Sequence, residues 1–234
     1  MEEHSLEEAI KAFREGRPVL VFDDWSREAE VDYVIHASAV DVDVVYEMRV
    51  LCGGLICYAM PLEYGRVLGL DLASEILRRV GLGRLVKRLS YGDEPAFSIW
   101  VNKVTVATGI RDYDRAETIR GLDEVNRLIH EGRVEEARTL FYNEFMSPGH
   151  IPILLGRSLR VRRGHTELGL ALAELAGLRP SIALVEMLTR GRQLLPSEAA
   201  RVARDHGYPM VTGRQIIKAF NELLSRRNSL RGEE

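Results

Sequence analysis

What this chain of 234 residues lacks narrows it first. Its two cysteines, Cys52 and Cys57, are too few for a disulfide framework, and their spacing matches no zinc motif. Reduced thiols in the cytoplasm are the expectation. No apolar run approaches membrane-spanning length, and the start, MEEHSLEEAIKAFREG, has neither the basic residues nor the apolar stretch of a signal peptide. Neither sign of charge dominates: 32 Lys and Arg stand against 35 Asp and Glu, intermixed, for a formal net charge of −3. Sequence-independent binding to nucleic acid needs a basic face, so neither a nucleic-acid nor a membrane partner is expected. A nucleophile elbow, His-Glu-x-x-His, a P-loop and a dinucleotide fingerprint are all missing. Their absence removes the commonest hydrolase, zinc-protease, nucleoside-triphosphate and dehydrogenase readings.

What is present is a globular balance, 46% hydrophobic and 29% charged, without repeats, low-complexity linkers or a clear boundary. One domain over residues 1–234 is expected. Ser5 caps a helix stopped at Gly16, and a strand follows at Val19 to Phe22. A second strand is expected at DYVIHAS, a helix from an Asp cap at DVDVVYEMRV, and a buried strand at GGLICYAM. Residues 72–93 suggest two short helices broken by Gly81 and Gly83, an excursion whose Arg and Lys face water. FSIWVNKVTVATG alternates as a strand to Gly109, helical turns start near Asp114 and again near Asp123, and one more helix follows at VEEARTLFYNEF. SPGHIPILLGR opens with a Pro-Gly turn. The helix after Gly164-His165-Thr166 stops at Gly177, and SIALVEML is a strand. A helix at SEAARVARDHG, a short strand at YPMV and a terminal helix with a charged, fraying tail complete the chain. The fold class is therefore α+β (α/β), a mixed sheet with helices packed around it.

Chemistry concentrates in two places. In VFDDWSREAEVDY a β-rich strand runs into Asp23, Asp24, Glu28, Glu30 and Asp32, with Arg27 among them. Five carboxylates so close repel one another unless a cation or a proton sits among them, which fits a divalent metal or polar substrate, or simply a solvated acidic turn. In RVRRGHTELGL, Thr166 can cap the helix, leaving backbone N–H groups and an uncompensated dipole at residues 162–166. Arg162 and Arg163 add charge suited to phosphate, although an ordinary capped helix with surface arginines fits the same residues. His150 sits on the SPGHIP turn, where its imidazole could move protons or be merely structural. Glu186 lies in apolar SIALVEML, either buried with a raised pKa or at a wet strand edge. Cys52 and Cys57 look like buried small hydrophobes, and His4, His36, His130 and His206 have no informative neighbours.

Taken in order, these blocks resemble the 3,4-dihydroxy-2-butanone 4-phosphate synthase family over nearly the whole chain. The likeness rests on Arg27, Glu28, Glu30 and Asp32 in the acidic loop, GGLICYAM with Cys57, ATGIRDYDRAETIR, SPGH, RRGHTE and VEM. The longer segment from Leu72 to Asp93 looks archaeal, while Val31 and Trp25 in the acidic loop depart from common family residues.

The resemblance implies a lyase that turns ribulose 5-phosphate into 3,4-dihydroxy-2-butanone 4-phosphate and formate for riboflavin, with Mg²⁺ or Mn²⁺ and no organic cofactor. It implies Glu28 and His165 as metal ligands. Arg27, Glu28, Asp32, Arg162, Arg163, Gly164, His165, Thr166 and Glu186 would bind substrate, and His150, Glu186, Glu30 and Asp32 would move protons. Cys57, Thr108, Asp114, Arg115 and Thr118 would be a possible further wall of the site. Family members are homodimers with sites at the interface, to which His150 would reach across, and the acidic loop is expected to close on substrate. A non-catalytic metal- or sugar-phosphate-binding protein and a ketose-phosphate isomerase on the same fold remain the alternatives.

Overall fold

Ser5 begins the first helix by a reciprocal cap: its hydroxyl accepts the Glu8 N–H at 3.2 Å while the Glu8 carboxylate accepts the Ser5 N–H at 3.1 Å. The structure is a computed structural model that describes residues 5–231. His4 and the last residues of the tail, where fraying was expected, lie outside the described residues. In chain order the elements are α1 (Leu6–Arg14), β1 (Val19–Phe22), β2 (Val31–His36), α2 (Val42–Glu47), β3 (Cys57–Pro61), α3 (Leu62–Val67) and α4 (Ala73–Arg79). Then come β4 (Phe97–Lys103), α5 (Asp112–His130), α6 (Val134–Glu144), β5 (Phe145–Gly156) and α7 (His165–Leu175). The last are β6 (Ile182–Glu186), β7 (Leu188–Thr189), β8 (Arg192–Gln193), α8 (Pro196–His206), β9 (Met210–Thr212) and α9 (Gly213–Arg231).

Seven strands form one sheet in the order β4-β5-β3-β6-β2-β1-β9. It is mixed: β1 with β9 and β3 with β5 run parallel, and the other neighbours antiparallel. Both faces are covered. Leu20, Tyr33, Tyr58 and Ile153 point into one core under α5 and α8, whereas Val19, Val21, Val34 and Leu184 point into the other under α1, α7 and α9. Successive strand residues thus alternate between two cores, which is why the four residues of β1 are all buried and all apolar.

Four expectations change. The segment from Asp112 to His130 is one helix, because Asp123 does not cap a second start; its carboxylate is turned inward to the Ser181 hydroxyl at 2.7 Å and to Arg179. The strand beginning at Phe97 ends at Lys103 rather than Gly109. SPGH is no turn but part of the long β5, where a Cβ on Gly149 would lie 2.0 Å from the Val101 carbonyl carbon, so only glycine lets the two backbones approach. The excursion holds a single α-helix, α4, followed by a 3₁₀ turn at Gly83–Leu85 and an irregular return.

Candidate active site

The acidic stretch is the loop of the β1–β2 hairpin, closed where Phe22 pairs with Val31. Val31 is wholly buried there, paired with Phe22, so it belongs to the strand and not to the loop. Asp23 organises the turn: its carboxylate accepts the N–H groups of Glu28 and Glu30, each at 3.1 Å. Ala29 adopts a positive φ of 52°, uncommon for a residue with a side chain and a sign that the surrounding bonds impose the shape. Asp24 does other work, accepting the Ser26 N–H at 2.9 Å and facing Arg214 at 3.0 Å. Trp25 is exposed and tilted against Phe22.

This turn carries Glu28 to the start of α7. Glu28 Oε2 lies 3.5 Å from His165 Nδ1, and Asp32 Oδ1 lies 3.6 Å from the same nitrogen. His165 Nε2 is 3.2 Å from the Glu30 carbonyl oxygen, which can only accept, so Nε2 carries a hydrogen and Nδ1 is left to face the carboxylates. Asp23, Glu28 and His165 each offer one ligand atom within 4.8 Å of the other two, a set able to hold a cation. The acidic loop therefore already lies against His165.

Thr166 does not cap α7; Gly164 is the N-cap, and Thr166 lies inside the first turn. Nor is the helix dipole uncompensated. The buried Glu167 carboxylate accepts N–H groups from Gly164 at 3.2 Å and Arg157 at 3.0 Å and binds Arg162 Nη1 at 2.6 Å. Arg162 is thereby aimed, its other nitrogens lying 3.8 Å from Asp93 and 4.0 Å from Glu28. Arg27 meets the same Asp93 oxygen at 2.9 Å. Tyr91 donates its hydroxyl to Glu28, and the Arg27 guanidinium lies 4.7 Å from the Tyr91 ring centre.

Of these groups Glu28, Asp32, Tyr91, Arg162 and His165 line one cavity of about 200 Å³, with Cys57, Thr166 and Glu186 on its polar side and Leu89, Phe97, Leu154 and Leu184 among its apolar walls. A larger groove of about 610 Å³ runs beside α5 and α6, but the charged groups along it, Arg127, Arg133 and Glu136, are already paired with one another or with Glu124 and Glu131.

The electrostatics split the carboxylates. Burial pushes Glu28 up, but His165 and Tyr91, with the charges of His165 and Arg162, outweigh it and hold the carboxyl at about 2. Asp32 goes the other way: burial, only partly offset by His165 and reinforced by Glu186, Glu28 and Glu30, drives its pKa well above the usual range. Glu30 is also raised, first by burial and then by Glu28. Burial lowers His165, yet Asp32, Glu28 and Asp23 overcome that and lift it to about 10. An ionised Glu28 beside two carboxyls whose hold on a proton is strengthened, Asp32 most of all, is an arrangement for moving protons.

The family model for 3,4-dihydroxy-2-butanone 4-phosphate synthase matches residues 7–219. The chain belongs to that family. The synthase of Archaeoglobus fulgidus is 38% identical over 228 residues, covering 93% of this chain and 94% of its own length. That of Methanosarcina mazei is 35% identical over 228 residues, covering 92% and 91%. A solved 3,4-dihydroxy-2-butanone 4-phosphate synthase in complex with two magnesium ions superposes with a TM-score of 0.73 at 28% identity, covering 94% of this chain and 97% of that one.

Within this synthase-family chain, the structure brings together Arg27, Glu28, Glu30, Asp32, Cys57, Arg162, His165, Thr166 and Glu186. Glu186 stands opposite Asp32 in the sheet, its Oε2 accepting the Leu55 N–H at 2.8 Å, and a Cβ on Gly54 would come within 2.5 Å of it. Gly164 serves as the helix cap, and Arg163 is exposed, donating to the Leu159 carbonyl at 3.4 Å. The remaining candidates lie elsewhere. His150 is exposed on β5 beside Asn102, and Thr108, Asp114, Arg115 and Thr118 cluster at the start of α5.

Sequence reasoning missed Asp23 as a third potential ligand, Glu167 as the group that aims Arg162, and Tyr91 and Asp93, which come from the excursion. Its basic residues drew notice, while the two that matter are an aromatic and an acid.

The donor set fits a divalent cation. Asp32 Oδ1, Arg27 Nη1 and Arg162 Nε are buried without a hydrogen-bond partner. Such atoms are costly to leave unpaired, and together they ask for a ligand that both donates and accepts.

Proposed function

We propose that the chain converts D-ribulose 5-phosphate into L-3,4-dihydroxy-2-butanone 4-phosphate and formate in riboflavin biosynthesis, through an enediolate, dehydration, skeletal rearrangement and loss of C4. One observation carries the reading: in a chain of this family, Glu28, His165 and Asp23 converge on one point beside two inward-facing arginines. The two products together have the formula of the substrate, so the reaction needs no redox partner. A divalent cation, Mg²⁺ or Mn²⁺, held by Glu28 and His165 with Asp23 in reach would supply Lewis-acid polarisation of the ketose oxygens.

The chain's own groups do the rest. Arg27, Arg162 and Thr166 hold the phosphate, so that remote binding energy positions the reacting carbons. Asp32, its pKa raised well above the usual range, keeps a proton available, Glu30 is raised beside it, and Glu186, across the strand pair from Asp32, relays protons. Phe97, Leu154 and Leu184 exclude water from the intermediates, and Cys57, its thiol pushed far up by burial, is wall and not nucleophile.

His150 lies on β5 outside the residues that line the pocket, so two copies would pair and bring this strand end and the Thr108–Thr118 region to each other's sites. Unpaired buried cysteines agree with a cytoplasmic location, and among the described residues no helix is long and apolar enough to cross a membrane. The test is formate release from ribulose 5-phosphate with Mg²⁺ and with a chelator. Metal-dependent formate, with specific activity falling on dilution, is expected; isomerised ketose without formate would refute the reaction, and a fully active monomer the pairing.

A further inference from the structure

Residues Leu89 to Asp93 form a tight turn on the return of the excursion. Only two backbone bonds brace it, Leu89 N–H to the Asp93 carbonyl at 2.9 Å and Gly92 N–H to the Leu89 carbonyl at 2.8 Å. Its outer side, Leu89 to Gly92, is largely exposed, yet Tyr91 and Asp93 reach inward and direct their polar contacts to the site's own functional groups: Glu28 and the two arginines. Asp93 is where a substrate anion belongs. One of its oxygens takes a 2.9 Å bond from Arg27 and faces Arg162 Nε at 3.8 Å, while Arg27 Nη1 and Arg162 Nε still have no partner. A single-charged carboxylate underfills a pair of guanidiniums that a doubly charged, three-oxygen phosphate monoester would satisfy.

We propose that the Leu89–Asp93 turn is a self-ligand of the site, Asp93 occupying the Arg27–Arg162 anion position until the substrate's phosphate displaces it and frees the turn. The proposal rests on the pocket being a sugar-phosphate site and adds to it a competitor built into the chain. An internal competitor lowers apparent affinity by the fraction of molecules in which it is seated. It thereby sets a threshold: an uncharged sugar, unable to exchange for Asp93, gains no entry through the arginines. Tyr91 is the positioning residue that seats the turn, through Glu28 and the Arg27 face.

The experiment uses the full chain loaded with Mg²⁺ and inorganic phosphate as the probe. Hydrogen exchange of the Leu89 and Gly92 amides is followed with and without phosphate, and phosphate affinity is measured by calorimetry for wild type, Asp93→Asn and Tyr91→Phe. Phosphate should speed exchange at both amides several-fold. Asp93→Asn should bind phosphate roughly 3- to 10-fold more tightly, and Tyr91→Phe about 2-fold more tightly with faster exchange even without phosphate. If phosphate slows exchange, or Asp93→Asn binds it no better than wild type, the turn is a lid or a brace and the self-ligand is refuted; so too if phosphate changes nothing in any of the three proteins. Formate release by wild type is scored separately. Formate without the affinity change refutes only the self-ligand, and phosphate-driven opening without formate refutes only the catalytic reading.

Discussion

Two buried aspartates, Asp114 at the start of α5 and Asp32 on β2, show what separates a carboxylate that holds a fold together from one that works. Asp114 accepts five hydrogen bonds, from the Thr108 N–H and hydroxyl, the Gly109 N–H and two nitrogens of Arg111, at 2.7 to 3.2 Å. Those donors, Arg111 first, outweigh its burial and hold its pKa far below the usual carboxylate value. Asp32 is equally hidden but has an unpartnered oxygen, three acidic neighbours and a raised pKa. The first arrangement spends every acceptor on the local backbone; the second leaves one free for a ligand, at a cost to folding.

The comparison can be broken by mutation. The largest effects belong beside Asp32: Glu28→Gln and His165→Ala should each lower kcat by about 10³-fold with an unchanged far-ultraviolet circular dichroism spectrum. Near-normal rates would remove the metal assignment. Asp32→Asn should lower kcat by about 10²-fold while raising the stability of the metal-free protein by about 1 kcal/mol. Because the folded pKa of Asp32 lies above the unfolded one, its cost to stability develops as pH rises through the unfolded value; denaturation from pH 4 to 7 should therefore show a decline in wild type that the variant lacks. A variant less stable than wild type would mean that Asp32 is structural after all.

Asp114→Asn should do the reverse, costing about 2 to 3 kcal/mol in urea denaturation with a smaller loss of kcat. Its folded pKa is depressed, so the wild-type contribution is complete above the unfolded value of about 3.9 and is lost progressively as pH falls from there toward the folded value. The stability gap between wild type and variant should accordingly close in acid. A constant gap would mean that size or geometry, rather than charge, is what Asp114 contributes.

How much of this was legible in the sequence follows from how local each feature is. Glu28, Asp32 and His165 stood out because each lies in a short block whose composition is unusual for its place, and the mixed sheet followed from helices alternating with β-rich runs. Asp23 was counted among the carboxylates but not chosen as a ligand, since its backbone bonds to Glu28 and Glu30 appear only once the hairpin closes. Thr166 looked like a cap because Thr commonly is one; Gly164 took the position, and Glu167 satisfied the helix end that had seemed open to an anion. Asp93 was illegible for a simpler reason. It is 66 residues from Arg27, and no periodicity announces that a charged excursion will fold back over a distant loop. Asp123 suggested a second helix start that its own tertiary contacts overrode.

The central claim is that Glu28 and His165 share one divalent ion next to the arginine pair, and titration of metal-free protein with Mn²⁺, followed by the loss of the free-ion electron paramagnetic resonance signal, tests it most directly. Wild type should bind with saturation, and Glu28→Gln and His165→Ala should each weaken that binding by at least about 10-fold. Binding of wild-type strength in both variants would contradict the account.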